Sequence, residues 1–180
     1  MVPEEDKGSD KFQFSERIQA MCYRNRRLHE NLCESSEMLS EPIRSPQAER
    51  EVSRDTSVRR ARTCYDHLAG VAGALLYAEL SKRGWITEED GKKHPAITLT
   101  PVGKTTLESC GVNVRGSYES KRKFAYGCLD WTERVHHLGG ALGANILIAL
   151  QSAKIVARNG DDRSVIVSGS LVEWLDASSS

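Results

Sequence analysis

The chain has 180 residues, and its twenty-five Lys+Arg balance twenty-five Asp+Glu, so the formal net charge is zero. Neutrality excludes a strongly basic nucleic-acid binder at the level of the whole chain but leaves room for a local basic patch. Hydrophobic residues at 39% rule out wholesale disorder, and no apolar run approaches the ~20 residues that span a bilayer.

The N-terminus, MVPEEDKGSD, is acidic and polar, which is not a signal peptide. Five cysteines (Cys22, Cys33, Cys64, Cys110 and Cys128) form neither a disulfide framework nor a CxxC pair. A reducing compartment, the cytoplasm, is the expectation. Residues 1–56 read as a poorly ordered segment with one candidate helix, capped by Ser15 and running to Leu32. Its last part, SSEMLSEPIRSPQAEREVSRDTS, reads as a linker too poor in apolar residues to offset its ordering entropy.

From residue 58 the texture changes. VRRARTCYDHLAGVAGALLYAELSKRG lacks proline and carries apolar residues at helical spacing, which predicts one long helix stopped at Gly84. The apolar pair Trp85-Ile86, a polar turn, the strand AITLT and a short helix opened by Pro101 follow. The same order recurs later: HLAGVAGALLYAEL (67–80) sits over HLGGALGANILIAL (137–150), with six of fourteen positions identical at a shift of 70. A duplicated unit follows, with boundaries 57–118 and 119–180. The expected fold is mainly α with two small β hairpins (α+β), two tandem winged-helix-like repeats. Gly70, Gly73, Gly140 and Gly143 would lie within helices and let the two repeats pack closely, the alternatives being a small-molecule cleft or a dimer seam.

Cys64 and His67 are three apart and would share one helix face, where a thiolate beside an imidazole suits zinc or copper. Cys128, His136 and His137 would complete a site if the repeats pack face to face. The shift of 70 places Arg134, not a cysteine, opposite Cys64. The blander reading makes both core residues. The candidate ligand-binding residues are Cys64, Tyr65, His67, Cys128, Trp131 and His137, with Cys64 and His67 as the metal pair. Asp66 and Asp130 would form structural ion pairs with Arg62 or Arg134. Acidic neighbours, Glu49, Glu51 or Asp55, would compensate RRAR at its helix start. No catalytic triad, phosphate loop or HExxH is present, so an enzyme is not expected and no cofactor beyond a metal ion is implied.

RARTCYDHLAG (60–70) and GCLDWTERVHHLGGALG (127–143) resemble the C-terminal half of a group of bacterial ArsR-family transcriptional regulators, and ITLTPVGKTTLESCGV resembles the segment between. The resemblance covers about residues 45–180. It implies a homodimer that binds an operator and is released by a ligand or metal. The recognition-helix phrase of such regulators is not found in residues 1–60, so the expectation is the effector-binding and oligomerisation half without its own DNA reader. The alternatives are a metal sensor, or an active DNA binder contacting phosphates through Arg59, Arg60, Arg62, Lys121, Arg122 and Lys123.

Overall fold

A computed structural model describes residues 44–89, 93–160 and 162–177. The candidate helix between Ser15 and Leu32 lies outside the described residues. Helix α1 (Pro46–Arg54) falls where a linker was expected. Ser45 accepts a hydrogen bond from the Ala48 amide and Pro46 stands in the first turn, so the helix start is well capped. One small residue, Ala48, is its buried anchor.

The long helix expected over 58–82 is three elements. Helix α2 (Ser57–Arg60) is one turn, capped by Thr56. Strands β1 (Arg62–Cys64) and β2 (His67–Ala69) then form a hairpin, and helix α3 (Gly70–Lys82) follows. Gly70 has φ +75°, which a right-handed helix interior does not accommodate, so the glycine marks the helix start. Gly84, at φ +66°, takes the left-handed stop that was expected of it.

Strands β3 (Ile86–Glu88) and β4 (Ile97–Leu99) pair antiparallel, and α4 (Pro101–Ser109) opens at Pro101 under a Thr100 cap. After α5 (Val114–Glu119) the order repeats. Strands β5 (Tyr126–Leu129) and β6 (His136–Gly139) precede α6 (Gly140–Ser152), then β7 (Val156–Arg158), β8 (Val165–Val167) and α7 (Leu171–Asp176). Helices α3 and α6 start and stop 70 positions apart, as do β3 and β7, and the caps Thr100 and Ser170. Lys154 stands where the first unit has Gly84 and also adopts positive φ, 59°. Among the described residues there are four two-stranded sheets, so the fold is α+β with twice the expected hairpins.

The two units exchange strand edges. Thr63 donates to the Arg163 carbonyl and Val165 to that of Ala61, tying β1 to β8. Reciprocally, Ile97 donates to Ala125 and Gly127 to Pro95, tying β4 to β5. Each Cys-bearing hairpin is thus extended by a strand of the other unit, which occupies an otherwise unpaired edge. One hydrophobic core runs through both units, from Leu80 and Leu107 to Leu142, Leu150 and Leu175, all fully buried. Nine of the thirteen residues of α3 and eight of those of α6 are buried, so these are central helices with little solvent face. No helix among the described residues is long and apolar enough to cross a membrane.

Candidate metal centre

In β1–β2, Cys64 lies directly opposite His67, with only Tyr65-Asp66 between them. In β5–β6, Cys128 lies directly opposite His137. Residues opposed across an antiparallel pair project to the same face, so each hairpin presents one thiol and one imidazole together. The paired cysteine and histidine are three positions apart in the first hairpin and nine apart in the second. That difference is why an ungapped shift of 70 put Arg134 opposite Cys64: strand register makes Cys128 the counterpart. Cys64 and His67 are therefore partners across a hairpin, not neighbours on a helix.

Strand β2 packs against β6, and the four side chains converge. One donor atom from each of Cys64, His67, Cys128 and His137 lies within 4.8 Å of all the others. The two Nε2 atoms are 3.2 Å apart. Zinc bonds of about 2.0–2.1 Å to nitrogen and about 2.3 Å to sulfur would space tetrahedral donors about 3.3–3.8 Å apart. Both imidazoles are 1% exposed, whereas both cysteines are half-buried.

Helix glycines make this approach possible. A Cβ on Gly73 would lie 2.4 Å from the Leu68 carbonyl and 3.3 Å from the His137 Cβ; one on Gly143 would lie 2.3 Å from that of Leu138 and 3.2 Å from the His67 Cβ. Each glycine thus admits the histidine of the opposite hairpin. The expected mid-helix glycine face is instead a contact between first helical turn and hairpin.

A carboxylate backs each imidazole. Asp130 Oδ2 is 3.2 Å from His137 Nδ1, and Asp66 Oδ1 is 3.7 Å from His67 Nδ1, neither in ideal hydrogen-bond alignment. Carboxylates on that side favour Nδ1–H tautomers, which turn two Nε2 lone pairs toward each other. Across 3.2 Å such a pair repels unless a proton or a cation lies between them.

Asp130 is fully buried and heavily committed. It pairs with the buried Arg62 at 2.7 Å, and accepts from the Gly70 amide at 2.8 Å and the Thr132 hydroxyl at 2.7 Å. Burial pushes its carboxyl up, but His137, Arg62 and Thr132 together hold it well below the usual carboxylate range. Burial likewise opposes charge on His137, and Asp130 with Cys64 reverses this to raise it. Hydrogen bonds from Cys128, His137 and His67 draw the Cys64 thiol far down, while the same contact and burial push Cys128 up.

Of the other expected site residues, Tyr65 is 92% exposed at the hairpin tip, and Trp131 lies under the Arg62 guanidinium at 4.9 Å. Arg62 is buried against Asp130, which removes it from any surface that could meet a phosphate. Arg59 pairs with Asp55 and Glu133, Arg60 with Asp55, and Arg122 with Asp66. Asp55 is thus the compensating acid expected for RRAR. Both aspartates form ion pairs, but not with an arginine one turn away: Asp66 finds Arg122 rather than Arg62 or Arg134, and Asp130 finds Arg62 of the other repeat. Lys121 is exposed, and Lys123 lies 5.9 Å from the Tyr126 ring. His136 faces away from the cluster, bonded to the Lys93 carbonyl. The role of Asp130 as a hub was missed; the acidic residue two positions after Cys128 was its only trace.

No protein-family model and no solved structure matches the chain. Over 110 residues it is 34% identical to YdfF of Bacillus subtilis (strain 168), named as an uncharacterized HTH-type transcriptional regulator. The match takes in 61% of this chain and 47% of that protein, so the chain spans about half the length of its curated relative.

Proposed function

We propose that this chain is a metal-binding module of a transcriptional regulator, in which Cys64, His67, Cys128 and His137 hold one zinc-like ion between the repeats. The observation that carries this is the convergence of two thiols and two imidazoles, one of each from either hairpin, within 4.8 Å. Mixed sulfur and nitrogen donors in tetrahedral number suit Zn(II) among the common divalent ions. A shared proton could relieve the facing Nε2 atoms, but it gives no reason for the two sulfurs. Four protein donors fill a tetrahedral shell and leave no position for water or substrate, which favours a binding site over a catalytic one.

The regulatory part of the reading rests on the name of the relative and on the ArsR-like phrases. On it, the repeats are winged-helix-like units of an effector-binding and oligomerisation half, acting as a cytoplasmic homodimer, with the metal ion as effector. Because the donors come from both units, ion binding favours their closed arrangement by linkage.

The test is titration of the full chain, first stripped with a chelator, with Zn(II) and Co(II). One ion per chain, with tetrahedral cobalt bands and sulfur-to-cobalt charge transfer, is expected. Cys64→Ser, Cys128→Ser and His137→Ala should each weaken binding. Absence of thiolate-bound cobalt overturns the reading. A DNA mobility shift at ~50 mM salt, with and without zinc, tests the regulatory part under conditions that favour phosphate contacts.

A further inference from the structure

We propose that Cys64 and Cys128 are an oxidation-sensitive pair, which a peroxide joins as a disulfide and so dismantles the four-donor site. The idea rests on the metal reading for its consequence but not for the bond itself.

The donors are unequally protected. His67 and His137 are sealed at 1% exposure, while the two cysteines form the half-buried side of the cluster. A cavity of about 570 Å³ lined by His94, Arg122, Lys123, Tyr126, Cys128 and Gly140 brings solvent to the Cys128 side. A small neutral oxidant therefore meets sulfur first. The sulfurs are at most 4.8 Å apart, and each must move only about 1.4 Å to reach the ~2.05 Å of a disulfide. They lie on separate hairpins, so each can rotate without straining a shared turn.

The chemistry balances with hydrogen peroxide as the oxidant. The Cys128 sulfur, once it has given up its proton, attacks one peroxide oxygen: an S–O bond forms, the O–O bond breaks, and the departing hydroxide takes a proton to become water. The Cys64 thiolate then attacks the sulfur of that sulfenic acid. The S–S bond forms, the S–O bond breaks, and the second hydroxide leaves as water after taking a proton. Two electrons pass from the two sulfurs to peroxide. Two imidazoles remain, too few donors to retain a zinc ion against competing ligands. A dithiol reductant reverses the bond by exchange.

The experiment treats the zinc-loaded full chain with hydrogen peroxide, in a Cys22→Ser, Cys33→Ser, Cys110→Ser background as well as the native one. A chromogenic chelator follows zinc, and peptide mapping follows sulfur. The expected result is loss of two hydrogens per chain, a Cys64–Cys128 linked peptide, release of the bound zinc in step, and recovery of both after dithiothreitol. In Cys64→Ser, dimedone should trap a sulfenic acid at Cys128. Zinc retained on unlinked thiols overturns the proposal, as does release accompanied only by links to Cys22, Cys33 or Cys110. If the chain takes up no zinc, the metal reading falls, and peroxide on the metal-free chain still decides this one. A Cys64–Cys128 link supports the pair, and its absence overturns it.

Discussion

Replacing Asp130 by Asn probes the network behind the site. The Asp130→Asn amide can still accept from Arg62 or Thr132, but it removes the negative charge that faces a guanidinium 1% exposed to solvent. Its NH₂ would also confront the Gly70 amide or the His137 ring, donor against donor. Breaking a buried ion pair from one side costs about 3–5 kcal/mol, because the remaining charge stays desolvated. For a domain of this size that lowers Tm by roughly 10 °C or more, and it is a large share of the ~5–15 kcal/mol of a typical domain. Urea unfolding of the zinc-free protein, followed by circular dichroism, reads it directly. Adding Arg62→Met should recover part of the loss, since the orphaned charge is then gone. A single variant within about 1 kcal/mol of the native chain would refute the claim that the Arg62 charge depends on Asp130 for its burial.

Gly143→Ala and Gly73→Ala each place a methyl group within 2.4 Å of a backbone carbonyl, so both should destabilise the zinc-free chain by more than about 2 kcal/mol and weaken zinc binding through the displaced histidine. Lys154→Gly should be neutral or stabilising by up to about 1 kcal/mol in thermal denaturation, because Lys154 holds a left-handed conformation that glycine adopts without strain. Tyr65→Gly, at φ 57°, should likewise leave stability unchanged or raised, with unaltered zinc titration; a drop in zinc affinity would show that the exposed ring takes part in the site after all.

Sequence and structure agree best where position depends on backbone chemistry. Pro101 behind Thr100, Gly84 after Lys82 and the shift of 70 between the central helices are local signals, and they landed in place. The TCYDHLA segment reads as helix in the sequence because its hairpin turn is Tyr-Asp. Two-residue turns advertise themselves through Gly or Asn, and a tyrosine with positive φ carries no such mark. Ala61, Cys64, Leu68 and Val71 also fit a helical stripe by accident, since small residues suit both periods. All four donors are among the candidates that the sequence offers, but their assembly is hidden by the longer β5–β6 loop. Only strand register pairs Cys128 with His137 as Cys64 pairs with His67. Edge exchange between β1 and β8, and between β4 and β5, has no sequence signature, because it depends on backbone atoms alone.

The duplication is symmetric in its donors and asymmetric in what supports them, and that asymmetry has a measurable consequence. Behind His137 stands a carboxylate with no exposure, tied to Arg62, Thr132 and the start of α3. Behind His67 stands Asp66, its side chain 44% exposed and held by the surface residue Arg122, itself 49% exposed. Water screens the outer pair, so its loss costs only about 0–1 kcal/mol of stability. Outer-shell partners of a metal-bound histidine are worth about 10–100-fold in affinity when they fix the ring. Asp130→Asn should therefore weaken zinc binding by about that factor, measured by chelator competition under conditions where both proteins are folded. Asp66→Asn should change it severalfold at most. Equal losses from the two variants would mean that burial of the supporting carboxylate does not govern how firmly its histidine is held. The hairpin that yields first when the ion leaves would then not be β1–β2, as the exposed Asp66–Arg122 pair implies.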